Sequence, residues 1–332
     1  MKKNVVILTT AFQCEIFNSV LKKEEIPNLL IIYCSQLNIN SWPLLKKCNN
    51  KSTLCLPKEY LTFKRARSLI KQAKTLHKDL DLEPTDTLWF ANDADPFTQA
   101  LYKNVGFKET RVLEDGLGAY VQPSFLAWRG GLISLLRRLK LILYLFPYYR
   151  AFYSICGNIK ADFGYSYNKM AYPKIYNIKL ITIEKQTIEQ KVKNPAADKD
   201  IVFIGQPFIE KRRICRQKYL EHILFVKKKY ANEKNKLIYR PHPGESTDTL
   251  SYLESNGIIV NYESGISAEE YIYSSGNNLI IAGIASTSLI YVRNMENVEK
   301  VISTRIPNVR GLELHYTALA RLGVEVIPPL SH

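Results

Sequence analysis

The sequence predicts an α/β protein of two Rossmann-like halves, each a parallel sheet with helices between its strands. Three observations carry this. Short apolar runs of strand length alternate with longer helical patterns. The alternation occurs twice, on either side of a polar stretch, "KQTIEQKVKNPAADKD", which carries Pro195. The chain has 332 residues, enough for two domains of ordinary size. The boundaries read as 1–184 for the first half, 185–197 for a linker and 198–332 for the second.

In chain order, "NVVILTT" reads as a buried strand and Ala11 to Lys23 as the helix after it, and "NLLIIYC" is a second strand. "DTLWFAND" and "TRVLED" are further apolar runs that end in polar residues. A basic helical stretch follows, then a tyrosine-rich, poorly periodic region from Tyr148 to Tyr176. The second half opens on "DIVFIGQP" and a long basic helical segment, and continues through "KLIYRPHPGE", "GIIVNYE", "NLIIAGIASTS" and "VEKVIST". No internal repeat and no low-complexity tract interrupts it.

Composition narrows the class. Hydrophobic residues make up 46% and charged residues 23%, as in a soluble globular protein. Lysines and arginines outnumber acids 46 to 31, so the chain carries +15 and favours anionic partners. Six scattered cysteines, without a C-x-x-C pair, argue against zinc and against a disulfide framework, and point to a reducing compartment. The opening "MKKNVVILTTAF" is too short in its apolar run for a secretory signal and reads as a first strand.

No stretch reaches the roughly 18 uncharged apolar residues needed to span a bilayer. "GLISLLRRLKLILYLFPYYR", residues 131–150, is interrupted by Arg137, Arg138 and Lys140. It reads either as a packed helix with a cationic edge or as a helix lying on an anionic membrane.

In open α/β sheets, ligands gather at the carboxyl ends of the strands. The exits here carry Thr9–Thr10, Asn92–Asp93, Glu114–Asp115–Gly116, Gly205–Gln206–Pro207, Arg240–Pro241–His242–Pro243 and Ser286–Thr287–Ser288. At "EDG", successive side chains alternate faces, so one acid can meet a ligand while the other holds the loop. Gly116 permits the positive φ of a sharp exit. The ligand-facing acid would suit general-base work; the alternative is a helix N-cap. At "YRPHPGE", prolines on both sides hold His242 rigidly, and Arg240 supplies a second cation, which together suit a phosphate leaving group. The alternative is a loop histidine without a partner. At "GIASTS", hydroxyls open a helix, as an anion site or as plain capping. G-x-G-x-x-G and the P-loop are both absent.

In this order, "EDG", "HP" and "STS" resemble the motif set of bacterial sialyltransferases of the lipooligosaccharide and capsular polysialyltransferase types, and "FIGQP" is similar to the latter group. The resemblance covers most of the chain. It implies a GT-B-like fold, two Rossmann-like domains with parallel sheets facing a central cleft, and inverting transfer of sialic acid or a related nonulosonic acid from a CMP donor to a surface glycan. It implies no metal and no cofactor beyond that donor. Asp115 would be the base, with Glu114 as the open alternative, and His242 would assist the departing CMP phosphate. Gly205, Gln206, Arg240, Pro243, Ser286, Thr287 and Ser288 would bind the donor, while Thr9, Thr10, Glu114 and Gly116 would shape the acceptor side. The expected place is cytoplasmic, with peripheral attachment to the inner membrane through 131–150 and 211–240.

Three rivals remain at this stage. Asp93-Ala94-Asp95 forms a D-x-D that could hold a metal and a nucleotide sugar. A CDP-glycerol-type glycerophosphotransferase resembles the histidine-proline loop plus serine pair. A basic polyanion-binding protein would account for residues 211–240, with eleven cations against two acids, although no nucleic-acid motif accompanies them and no nucleic-acid partner is expected.

Overall fold

The structure is a computed structural model that describes residues 1–35, 37–47, 50–54, 62–121, 136, 139–150, 157–172, 177–184, 200–232, 235–263, 267–275, 278–307, 309 and 312–328. The expected linker 185–197, with Pro195, lies outside these residues, as do Arg137 and Arg138. The chain forms two compact units, Met1–Gln186 and Thr187–His332.

The first unit holds a seven-stranded, all-parallel sheet in the order β3-β2-β1-β4-β5-β6-β7. Its strands are β1 (Asn4–Leu8), β2 (Leu29–Cys34), β3 (Asn50–Leu54), β4 (Thr87–Phe90), β5 (Glu109–Leu113), β6 (Phe163–Ser166) and β7 (Lys179–Thr182). Helices α1 (Ala11–Lys23), α2 (Pro43–Lys46), α3 (Phe63–Asp79) and α4 (Pro96–Val105) connect them. Val6, Leu8, Ile16, Phe17, Ile31 and Trp89, all fully buried, form the centre of its core. The near-continuous apolar strands follow from burial on both faces of a parallel sheet. Local chemistry sets the helix ends. Thr10 caps α1 by accepting from the Gln13 N–H, and Gly106, at φ 71°, closes α4 in the left-handed conformation.

The second unit holds a six-stranded parallel sheet in the order β10-β9-β8-β11-β12-β13. Its strands are β8 (Asp200–Ile204), β9 (Leu237–Arg240), β10 (Ile259–Val260), β11 (Leu279–Gly283), β12 (Val298–Thr304) and β13 (Glu325–Ile327). The helices are α5 (Arg216–Tyr230), α6 (Thr247–Ser255), α7 (Ala268–Ser274), α8 (Ser288–Val292) and α9 (Leu312–Arg321). Phe203, Tyr219, Ile223, Tyr239, Ala282 and Ile302 anchor its core.

Both sheets reverse their strand order beside their first strand, between β1 and β4 and between β8 and β11. A doubly wound sheet opens a crevice at that switch point, beyond the carboxyl ends of the strands. The sequence reading placed its polar candidates at these exits, and the strand ends at Leu8, Leu113, Ile204, Arg240 and Gly283 put them there.

Candidate active site

In the first unit, Glu114 and Asp115 follow directly on β5 and turn to different surroundings. Glu114 is fully buried. Its carboxylate accepts from the Tyr120 hydroxyl at 2.6 Å, the Ser166 hydroxyl at 2.6 Å and the Tyr167 backbone N–H at 3.1 Å. A carboxylate so enclosed ties β5 to the exit of β6. Asp115 is half-buried and, among the described residues, accepts one hydrogen bond, from Gln13 Nε2 at 2.8 Å. Its side chain does not cap the 3₁₀ turn Gly116–Tyr120 that follows. Gly116 has φ 67°, the left-handed conformation expected of it.

Gln13 is one of the residues that the sequence reading missed. Its Oε1 accepts from the Thr9 N–H at 2.6 Å and from the Thr9 hydroxyl at 3.0 Å, which fixes the amide so that Nε2 points to Asp115. The only advance signal was a polar residue on the buried face of α1, where Gln13 is 1% exposed. Burial raises the Asp115 pKa above the ordinary carboxylate range, and the Gln13 bond partly offsets this. A partly open carboxyl with a raised pKa and spare acceptor capacity has the properties of a general base. Thr9 thus holds the Gln13 amide, and Thr10 caps α1.

The D-x-D pair serves the fold. Asp93 accepts from the backbone N–H groups of Gly157, Asn158 and Ile159 at 2.7–3.1 Å and from Asn158 Nδ2 at 3.2 Å. Asp95 caps α4 through Thr98. Both carboxylates are committed to loop and helix.

In the second unit, the His242 loop follows β9. The Gly244 N–H donates to His242 Nδ1 at 2.9 Å, so in the neutral ring the remaining proton sits on Nε2. Burial, and then the charge of Lys211, lower the His242 pKa, while Glu210 opposes them. The shift favours the neutral ring, which offers Nε2–H as a donor. Arg240, expected to supply a cation beside it, is 5% exposed, donates to Asn261 Oδ1 at 2.8 Å and stacks 5.2 Å from Tyr271. As the last residue of β9 it remains within the sheet. The cation whose charge bears on His242 is Lys211, in the "EKRR" turn after "FIGQP". Pro243 closes the turn with Glu245, whose N–H donates to the His242 carbonyl at 2.9 Å.

Across the switch point, Gln206 Nε2 donates to the Ser286 hydroxyl at 3.1 Å and joins the β8 exit to the β11 exit. Ala285, just before Ser286, adopts φ 46°, a conformation that costs a non-glycine residue about 1–2 kcal/mol and tends to persist at functional loops. Thr287 is helical in φ and ψ, and its side chain makes no capping bond. Plain capping therefore does not explain it. Gly205 packs against Glu245 and Tyr239; a Cβ there would lie 2.3 Å from Glu245 Oε2 and 2.5 Å from the Tyr239 hydroxyl.

Comparison with known proteins adds the family. The Alpha-2,8-polysialyltransferase (POLYST) family model matches residues 4–305. Among solved structures, the chain is similar to an alpha/beta-galactoside alpha-2,3-sialyltransferase from the luminous marine bacterium Photobacterium phosphoreum, with TM-score 0.54, 12% identity and coverage of 98% of each chain. It is also similar to a UDP-GlcNAc 2-epimerase from Neisseria meningitidis bound to UDP-GlcNAc, with TM-score 0.57, 12% identity and coverage of 98% of this chain and 87% of that one. At such identities the likeness shows the fold alone, that of GT-B-like proteins with two parallel Rossmann-like sheets. Among curated proteins, none matches the sequence.

Proposed function

We propose, from the premise that this chain belongs to the alpha-2,8-polysialyltransferase family and is a glycosyltransferase that moves sialic acid, that its donor is CMP-linked and that transfer inverts the anomeric centre without a metal. The observation that carries the mechanism is the unequal fate of the adjacent acids, Glu114 enclosed by three donors and Asp115 held by one. Asp115 takes the proton of an acceptor sugar hydroxyl as that oxygen bonds to the anomeric carbon. The bond from the anomeric carbon to the CMP phosphate oxygen breaks, and its electrons leave with the phosphate. His242 Nε2–H, Lys211 and the hydroxyls of Ser286, Thr287 and Ser288 stabilise the charge that gathers there. Preorganised donors at a developing charge supply the largest single contribution in such reactions. The acceptor is a bacterial surface glycan, a lipooligosaccharide or capsular chain.

Nucleotide selectivity tests this reading. CMP at 100 times its dissociation constant raises the unfolding free energy by about 2.7 kcal/mol, and CDP and UDP by less. A thermal-shift series in which UDP or CDP stabilises more than CMP would refute the CMP donor.

A membrane-resident acceptor also fits the surface of the first unit. Residues 139–145 are helical, and Leu143 and Phe146 are 76% and 59% exposed. Cations stand among these apolar groups: Arg150 lies 4.7 Å from the Phe146 ring, and Arg67 donates to the Tyr144 hydroxyl at 3.3 Å. No helix among the described residues is long and apolar enough to cross a membrane. The pattern suits peripheral contact with anionic lipid. Co-sedimentation with phosphatidylglycerol vesicles is expected, and Leu143→Asp with Phe146→Asp should abolish it; binding that survives both changes would place the contact elsewhere.

A further inference from the structure

We propose that Glu245 is a positioning residue, the terminal acceptor of a hydrogen-bonded strut that fixes both donor-side loops of the second unit. The inference rests on the donor-side reading of His242. The strut runs in one direction. The Gln206 N–H donates to the Tyr219 hydroxyl at 2.9 Å, the Tyr219 and Tyr239 hydroxyls are 2.9 Å apart, and the Tyr239 hydroxyl donates to Glu245 Oε1. The other oxygen, Glu245 Oε2, accepts from the His242 backbone N–H at 2.6 Å. One carboxylate therefore holds the loop after β9 directly and the loop after β8 through two buried tyrosines. Through Gln206 Nε2 the same strut reaches Ser286 on the loop after β11.

Packing supports the same conclusion independently. Gly205 has no room for a Cβ because Glu245 and Tyr239 occupy that space. The glycine of "FIGQP" and the glutamate of "HPGE" are thus complementary parts of one device. Tyrosine hydroxyls this deep in a core need partners, and here the members of the strut supply them to one another. Burial raises Glu245 to about 7, with the neighbouring charge of Glu210 adding to the shift and the bonds from Tyr239 and His242 opposing it. The groups facing it are Tyr239 from β9, His242 from its own loop and Glu210 from the turn after β8. Tyr219 from α5 lies one step further along the strut.

The consequence concerns His242. With the backbone pinned at His242 and at Glu245, Gly244 is held where its N–H meets Nδ1, and the ring keeps its proton on Nε2. Loss of the strut releases that choice of tautomer.

The test uses the full chain with Glu245→Gln and, should that variant fail to fold, Tyr239→Phe, which removes one oxygen from an otherwise unchanged ring. Nitrogen-15 NMR of the His242 imidazole in the ligand-free protein is the primary readout. Wild type is expected to show the Nε2–H tautomer and a titration midpoint below the usual histidine range. The variants should show mixed tautomers and a midpoint moved toward that range. In kinetics with CMP-sialic acid, a displaced ring should lower kcat by about 10²-fold, because small misplacements of a reacting group cost that much; mere loss of folded enzyme would lower the active fraction and leave the pH profile unmoved. An unchanged nitrogen spectrum in a folded variant overturns the proposal. A wild type that transfers nothing from CMP-sialic acid ends the functional reading, while the nitrogen spectrum still decides the strut.

Discussion

Asp115→Asn is expected to lower turnover by about 10²–10⁴-fold while leaving CMP affinity unchanged. Asparagine keeps the shape of the side chain and can still accept from Gln13 Nε2, so the variant removes the basic charge and little else. The acid limb of wild-type kcat/KM should lie above the ordinary carboxylate range, because burial raises the Asp115 pKa and the base must be ionised to act. As pH falls through that raised value, activity is lost. Stability runs in the opposite sense. A carboxyl with a folded pKa above its unfolded value favours folding in its protonated form, and that contribution is lost as pH rises through the folded pKa. Asp115→Asn should therefore melt no lower than wild type at neutral pH. Rate profiles and melting curves on one preparation check both halves; near-wild-type turnover would remove Asp115 from the mechanism. Glu114→Gln should behave differently. It loses the carboxylate that holds Tyr120, Ser166 and Tyr167, and the loss appears as instability.

His242→Ala is the second large effect. It is expected to lower kcat by about 10²–10³-fold, the usual result of deleting one preorganised donor at a developing charge, and to weaken CMP binding as well. His242→Gln retains an N–H that can point at the phosphate and should recover part of both. Because burial and Lys211 favour the neutral ring, its contribution is expected to be a hydrogen bond that persists as pH rises. Isothermal titration with CMP beside steady-state kinetics separates the two variants: Asp115→Asn binds as wild type, and His242→Ala does not. Equal CMP affinity in all three proteins would detach His242 from the donor.

The strands that the sequence made legible are those buried on both faces. β1, β2, β8, β11 and β12 are apolar runs with clear ends, and α1 spans Ala11–Lys23 as read from the sequence. The strands that escaped were β3, "NKSTL", and β7, "KLIT", the opposite edge strands of the first sheet, whose short runs include polar residues, together with β6, "FGYS", inside the tyrosine-rich stretch, and the three-residue β13, "EVI", at an edge of the second sheet. Alternation of faces correctly implied that Glu114 and Asp115 would part company. It could not say which acid would be enclosed, because Ser166 and Tyr167 lie some fifty residues away along the chain. Arg240 shows the opposite limit: proximity to His242 in sequence suggested a shared ligand, yet the strand carries its guanidinium to Asn261 and Tyr271. Gln13 and Glu245 were visible as letters and acquire roles only through partners that the fold supplies.

The central claim is that this chain moves a sialyl group from CMP to a hydroxyl by base catalysis from Asp115, with no metal. The direct measurement is NMR of the product formed from CMP-sialic acid and an oligosialic acceptor in the presence of EDTA. The account predicts a new glycosidic bond of inverted anomeric configuration, formed at an undiminished rate. Transfer that stops on chelation, retained configuration, or turnover with CDP-glycerol in place of CMP-sialic acid would contradict it.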